Sequence, residues 1–257
     1  MSRYQKVNII FLAALLLVNI LHFTMGLHWI WNVALVLWYV TACTVGATLL
    51  DAGFFVPVKF KGTTTGKKIA LSFDDGPLHE KTDQVLDILE KYKIPAAFFC
   101  IGSRIKSNEN ILRRMDRSGH IVGNHSFLHG NTFDLLPSSL VLKELEDTDE
   151  AIKNVLGKKP RLFRPPYGVT NPMIAKAVKD GDYTVVGWSV RSFDTVIKSP
   201  EKLFNRVVNR LTAGDVILFH DYSDSMLQIL PSFLEHAINN GYSFVRLDQL
   251  LNEQPYR

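Results

Sequence analysis

From Lys68 onward the chain alternates short apolar runs with amphipathic helical segments, and this alternation limits what it can fold into. Lys68–Phe73, Ala96–Ile101, Ile121–Asn124, Leu162–Arg164, Tyr183–Val190, Asp215–His220 and Tyr242–Leu247 read as strands. Between them Glu80–Lys93 carries Val85, Leu86, Ile88, Leu89 and Tyr92 at helical spacing, with charges opposite. Asn108–Ser118 and Pro137–Leu156 are helical and are closed by Gly119 and Gly157. Asn171–Lys179 begins with Pro172 in its first turn, and Pro200–Leu211 and Ser225–Asn239 complete the series. About seven β–α alternations in roughly 185 residues predict an α/β fold with a mainly parallel sheet. Strands that are apolar on both sides are buried on both faces. Closing such a sheet gives a barrel, with the active site at the carboxyl ends of the strands.

The first 58 residues have a different character. After Arg3 and Lys6 the chain is apolar from Val7 to Met25, and after Gly26 a second apolar run extends from Leu27 to Leu50. The first run has about the length that spans a bilayer core as a helix. Trp29, Trp31, Trp38 and Tyr39 suit a membrane interface. No small-x-small cleavage site precedes the second run, so a two-helix membrane hairpin fits better than a cleaved signal. The expected organisation is a membrane anchor over 1–58, a Thr/Gly/Lys-rich linker over 59–66, and a catalytic domain over 67–257. Localisation at a cell membrane follows. Basic residues flank both outer ends of the hairpin, which places the large domain in the cytoplasm, whereas a single span would place it outside.

The net charge of +4 is too weak, and the basic residues too scattered, to suggest a nucleic-acid partner. Cys43 and Cys100 are far apart in apolar runs and do not suggest a disulfide framework.

Chemistry concentrates where strands end. Lys68–Phe73 runs into Asp74-Asp75-Gly76-Pro77, and two adjacent carboxylates repel unless a positive charge joins them. A divalent metal on Asp75, with Asp74 free as a base, answers this. His125 and His129, four apart, share a face if that segment is a helical turn. With Asp75 they make a two-His, one-carboxylate set that leaves positions open for water and substrate. Zinc is the expected ion; cobalt or nickel would also suit such ligands. In Arg164-Pro165-Pro166-Tyr167-Gly168 the prolines stiffen a loop that can aim the Tyr167 N–H at an oxyanion, while Arg164 holds Asp74 ionised. His220 ends a buried strand and can act as general acid toward a leaving amine. A phosphatase of the haloacid type needs an Asp-x-Asp pair, and here the acids are adjacent.

These motifs, in this order over residues ~66–250, resemble the polysaccharide deacetylase (NodB-homology) domain of carbohydrate esterase family four. The resemblance implies a distorted (β/α)7 barrel that uses a divalent metal to remove N-acetyl groups from amino sugars. By it Asp74 is the general base, Asp75, His125 and His129 hold the metal, and Arg164 supports Asp74. Tyr167 lends its N–H to the oxyanion, and His220 is the acid. The chain departs from the family at Arg191-Ser192-Phe193-Asp194-Thr195, where Asp-x-x-Asp-Trp is common. An Arg stands in place of the first acid and Thr195 in place of the acetyl-pocket Trp. His220 then needs another partner, either Asp194 or Asp221. Ile217 replaces the family's Leu. Three functions compete: deacetylation of a cell-wall or surface polymer, deacylation of a lipid-linked amino sugar at the inner membrane face, and sugar binding without catalysis.

Overall fold

A computed structural model describes all 257 residues. The chain opens with α1 (Arg3–Met25) and α2 (Ile30–Thr48), two helices long and apolar enough to cross a membrane. They pair with each other. Phe11 stacks on Tyr39 with ring centroids 4.2 Å apart, Tyr39 Oη donates to Asn8 Oδ1 at 2.6 Å, and Asn19 Nδ2 donates to Asn32 Oδ1 at 3.2 Å. The few polar side chains are thus satisfied inside the pair, and Leu12, Leu16, Phe23, Trp31 and Leu37 are left exposed around it.

The following residues run directly onto the barrel. Leu50 and Val56 are buried with Phe163, Ile174 and Val185, and β1 (Val58–Lys59) pairs with a later strand. Beyond it Lys61 bridges to Asp215, and Gly62 donates its N–H to Gly214. Then come β2 (Lys68–Asp74), α3 (Lys81–Tyr92), β3 (Ala96–Cys100), α4 (Gly102–Ile105), α5 (Glu109–Arg117), β4 (Ile121–Asn124), α6 (Ser138–Leu156), β5 (Leu162–Phe163), α7 (Pro172–Asp180) and β6 (Thr184–Val186). The remainder is β7 (Val190–Arg191), α8 (Pro200–Val208), β8 (Val216–His220), α9 (Asp224–Asn239), β9 (Ser243–Phe244) and α10 (Leu247–Leu251).

All strand pairs are parallel, in the order β1-β6-β5-β4-β3-β2-β8-β7, with β9 added beside β2. The α/β barrel is therefore distorted as expected: β6, covered only by the two-residue β1, lies next to one end of the hydrogen-bonded order and β7 lies at the other, yet only Gly187-Trp188-Ser189 separates them. The sheet must curl until its ends nearly meet, and this three-residue crossing bridges the gap. The single strand expected over Tyr183–Val190 is split there, because Gly187 bonds to Lys59 O on one side and Ser189 to Val216 O on the other. The strand expected over Tyr242–Leu247 shortens to β9, since its end turns into α10.

The alternation of side chains along each strand decides what faces where. Ile69, Leu71 and Phe73 of β2, with Ile217 and Phe219 of β8, join the cluster formed with α3 and α9. Ala70, Ala97, Phe99, Ile121, Leu162, Val186 and Val216 fill the barrel interior with Leu247, Leu250 and Leu251 of α10. Continuing the interior rows one step past the last apolar residue leads to the polar groups described next.

Candidate active site

Asp74 follows Ala70 and Ser72 on the interior row of β2 and is buried. Asp75 is next in the chain and would face outward if the strand continued. Its φ of 78° is left-handed, and this turn brings its carboxylate to the same pocket. His125 follows Ile121 and Gly123 on β4, Arg164 follows Leu162 on β5, and His220 follows Leu218 on β8. All the site residues read from the sequence line or border one cavity of about 250 Å³, apart from Arg164, which lies beneath it.

His125 and His129 meet without a helical turn. Their segment is a loop in which Ser126 and His129 have φ of 63° and 53°. Side chains from outside the motif fold it: Asn124 Oδ1 accepts from Ser126 N at 2.9 Å, and Glu144 Oε2 accepts from Phe127 N and Leu128 N at 3.0 and 2.8 Å. The imidazole centroids end 4.8 Å apart. Each Nε2 lies 3.5 Å from Asp75 Oδ1, and the three ligand atoms are within 4.8 Å of one another. His125 Nδ1–H donates to Arg164 O at 2.7 Å, which keeps the Nε2 lone pair for a cation. Asp75 Oδ1 is buried without a hydrogen-bond partner. An orphaned carboxylate oxygen between two imidazole lone pairs fits a divalent metal. Burial alone would raise the pKa of Asp75, but His125, His129 and His220 hold it well below the usual carboxylate range. Burial likewise pulls His125 down, yet Asp74 and Asp75 more than reverse this. His129 is pushed down by burial and by its neighbour His125.

Asp74 is tied from the other side. Arg164 is fully buried, donates from Nη1 to Asp74 Oδ1 at 2.7 Å, and stacks 4.1 Å from the Phe99 ring. Its remaining nitrogens donate to Val186 O and Gly187 O at 3.2 and 2.9 Å. The guanidinium fork thus leaves Asp74 Oδ2 facing the cavity. Tyr167 has φ of 60° between Pro166 and Gly168, and its N–H donates to no protein acceptor. Its side chain leans away, with Oη donating to Asn131 Oδ1 at 3.0 Å.

The partner of His220 is Asp194. Its Oδ1 accepts from His220 Nδ1 at 2.9 Å and from Ser192 Oγ at 2.8 Å, and its Oδ2 accepts from His220 N at 2.8 Å. Asp221 follows His220 and so faces the other way, taking the Thr82 hydroxyl at 2.5 Å. Burial pushes Asp221 up to about 7. Burial also acts to lower His220, but Asp194, with Asp74 and Asp75, raises it above the ordinary imidazole value. Neutralising Asp194 as Asn removes the largest of these supports. In Asp194→Asn the alkaline limb of the kcat–pH profile, where His220 loses its proton, should move to lower pH. A limb in the wild-type position would mean that Asp194 does not act through His220.

The sequence reading missed Trp188, Leu218 and Tyr222, which also line the cavity. Trp188 was hidden inside an apparent strand. Gly187 beside it was the available signal, because a glycine within a strand pattern marks a break or a close backbone approach. The ring of Trp188 lies against Gly168, where a Cβ would collide with it at 2.4 Å.

Residues 61–186 match the family model described as polysaccharide deacetylase. The chain is 31% identical over 202 residues to the peptidoglycan-N-acetylmuramic acid deacetylase PdaA of Bacillus subtilis (strain 168), covering 77% of this chain and 76% of that one. The chain belongs to the polysaccharide deacetylase family. It is 36% identical over 184 residues to PdaC, another peptidoglycan-N-acetylmuramic acid deacetylase of that strain, where the match covers 72% of this chain but only 38% of PdaC. The crystal structure of the Bc1960 peptidoglycan N-acetylglucosamine deacetylase superposes with a TM-score of 0.73 at 27% identity, covering 78% of this chain and 95% of that one. The fold and motifs are those of a hydrolytic carbohydrate N-deacetylase of carbohydrate esterase family four.

Proposed function

We propose that this chain removes N-acetyl groups from amino sugars of a cell-wall polysaccharide, with Asp74 as base, His220 as acid and Asp75, His125 and His129 as ligands of a divalent metal. One observation carries the reading: a buried, unpartnered Asp75 oxygen faces two imidazole nitrogens, while Asp74 beside it is held by Arg164 instead. When bound there, a divalent ion, zinc by the nitrogen-rich donor set, supplies Lewis acidity toward water and the amide carbonyl oxygen. Asp74 Oδ2 takes a proton from the attacking water. Arg164 keeps Asp74 ionised and aimed by occupying its other oxygen. As the amide carbon becomes tetrahedral, the free Tyr167 N–H donates to the developing oxyanion. His220, held by Asp194, delivers its proton to the departing nitrogen, the C–N bond breaks, and acetate and the free amine remain.

The names of the relatives support a polymer substrate, and the α1/α2 hairpin supports attachment to a membrane. A polymer outside the cell requires the catalytic domain to face outward, against the orientation that the flanking basic residues favour. A lipid-linked amino sugar is the alternative substrate if the domain faces inward. A reporter fused after Arg257 and active on only one side of the membrane should signal outside; a cytoplasmic signal would rule out the wall polymer. The activity itself is tested by acetate release from N-acetylated glycans by the purified full chain, which a chelator should abolish and added zinc restore. Turnover that survives the chelator would remove the metal from the account.

A further inference from the structure

The deacetylase reading leaves one charged group at the cavity without a task. Arg191 of β7 pairs in register with Leu218 of β8, as Val190 pairs with Ile217. Partners across parallel strands point to the same face. Val190 and Ile217 join the outer core, so Arg191 and Leu218 face the interior, as does His220 two residues further along. The Arg191 guanidinium lies 5.4 Å from the Trp188 ring and 4.7 Å from the Phe193 ring. It forms no salt bridge and donates no hydrogen bond to protein, although it lines the cavity that holds Asp74, His129 and His220. Asp194, three residues on, is committed to His220 and Ser192 and does not neutralise it.

A second cation sits beside it. Arg206 lies 4.3 Å from the same Phe193 ring and donates from Nε to Arg191 O at 3.2 Å, and it also lacks an acidic partner. Burial, and after it the neighbouring charges of Arg210 and Arg191, lower the pKa of Arg206. Two guanidiniums lie around one ring with no carboxylate between them, Arg191 exposed at the mouth of the cavity and Arg206 half-buried, so an anion arriving there meets positive charge that is not paired to an acidic side chain. Stacking on Trp188 and Phe193 also restricts the orientation of the Arg191 fork before anything binds, so less side-chain freedom is lost on binding.

We infer that Arg191 is a specificity-determining residue that receives a carboxylate carried by the sugar undergoing deacetylation, so that the preferred substrate is an acidic amino sugar of the N-acetylmuramic type and not a neutral N-acetylglucosamine. The inference rests on the deacetylase reading. A planar carboxylate suits bidentate contact with the guanidinium fork. At the same position an acidic side chain would repel that group and tolerate a neutral sugar.

The test uses the full chain loaded with zinc and two substrates: N-acetylglucosamine tetramer, and glycan strands in which N-acetylmuramic acid alternates with N-acetylglucosamine. Acetate release gives kcat/KM for each, and mass spectrometry locates the sugar that lost its acetyl group. The wild type should act on the muramic residue and favour the acidic strands. In Arg191→Gln the ratio of the two kcat/KM values should fall about ten- to a hundredfold, the range for one charge-assisted hydrogen-bonding contact. The ratio cancels any loss common to both substrates, including misfolding. Converting the muramic carboxylates to amides should lower wild-type turnover similarly and leave Arg191→Gln unmoved. An unchanged ratio in Arg191→Gln, or acetyl loss only from glucosamine residues, overturns the inference while the deacetylase reading stands. No acetate from either glycan overturns both.

Discussion

Asp74→Asn should reduce kcat by about 10²–10⁴, the range that a positioned general base contributes. The substitution keeps the shape of the side chain, and its carbonyl oxygen can still accept from Arg164 Nη1, which lies 2.7 Å from Asp74 Oδ1. Metal content should therefore stay close to wild type; leaving the buried Arg164 charge unpaired should lower the melting midpoint, so kcat is read per folded, metal-loaded chain, and the loss of rate should fall on the chemical step. KM should change little, because Asp74 is held by Arg164 and is not placed to bind sugar. A variant retaining more than a tenth of wild-type kcat would show that another group takes the proton from water. Asp221 would be a poor substitute, since it faces Thr82 and not the cavity.

The second large effect is on stability. Arg164 is fully buried and satisfies a buried carboxylate and two backbone carbonyls at once. Arg164→Leu leaves an uncompensated charge in the barrel, which costs about 3–5 kcal/mol. For a domain of this size the melting midpoint should fall by roughly 6–20 °C. Asp74→Asn in the same chain removes the stranded charge, so the double variant should regain much of the loss. A double variant no more stable than Arg164→Leu alone would mean that the ion pair is not the source of the effect. The pair's value lies in what breaking it costs; its net contribution against an apolar filling is small.

Much of this site was legible because the strands carry it in a regular pattern. Asp74, His125, Arg164 and His220 each continue an interior row by one residue, and period-two alternation is visible in sequence. That same rule distinguishes Asp194 from Asp221: a residue adjacent to His220 on a strand has to face the opposite side. Three features were not legible for physical reasons. The 125–129 loop is shaped by Glu144, a residue from α6 whose position depends on tertiary packing. Trp188 enters the cavity because the sheet almost closes on itself, and closure depends on the curl of all the strands together. The contact between the helical hairpin and the loop from β5 to α7, with Thr170 N donating to Ala47 O at 3.1 Å, joins segments far apart in the chain. The apolar composition of α1 and α2 signalled a membrane but not this docking.

The central claim is that Asp75, His125 and His129 share one cation while Asp74 remains unligated. Cobalt(II) titration of the metal-stripped full chain, read by visible absorption and checked by metal analysis, tests it directly. Wild type and Asp74→Asn should each take up one ion per chain with closely similar spectra, and Asp75→Asn and His129→Ala should lose most of the affinity. Loss of the ion in Asp74→Asn, or wild-type affinity in Asp75→Asn and His129→Ala, would contradict the assignment.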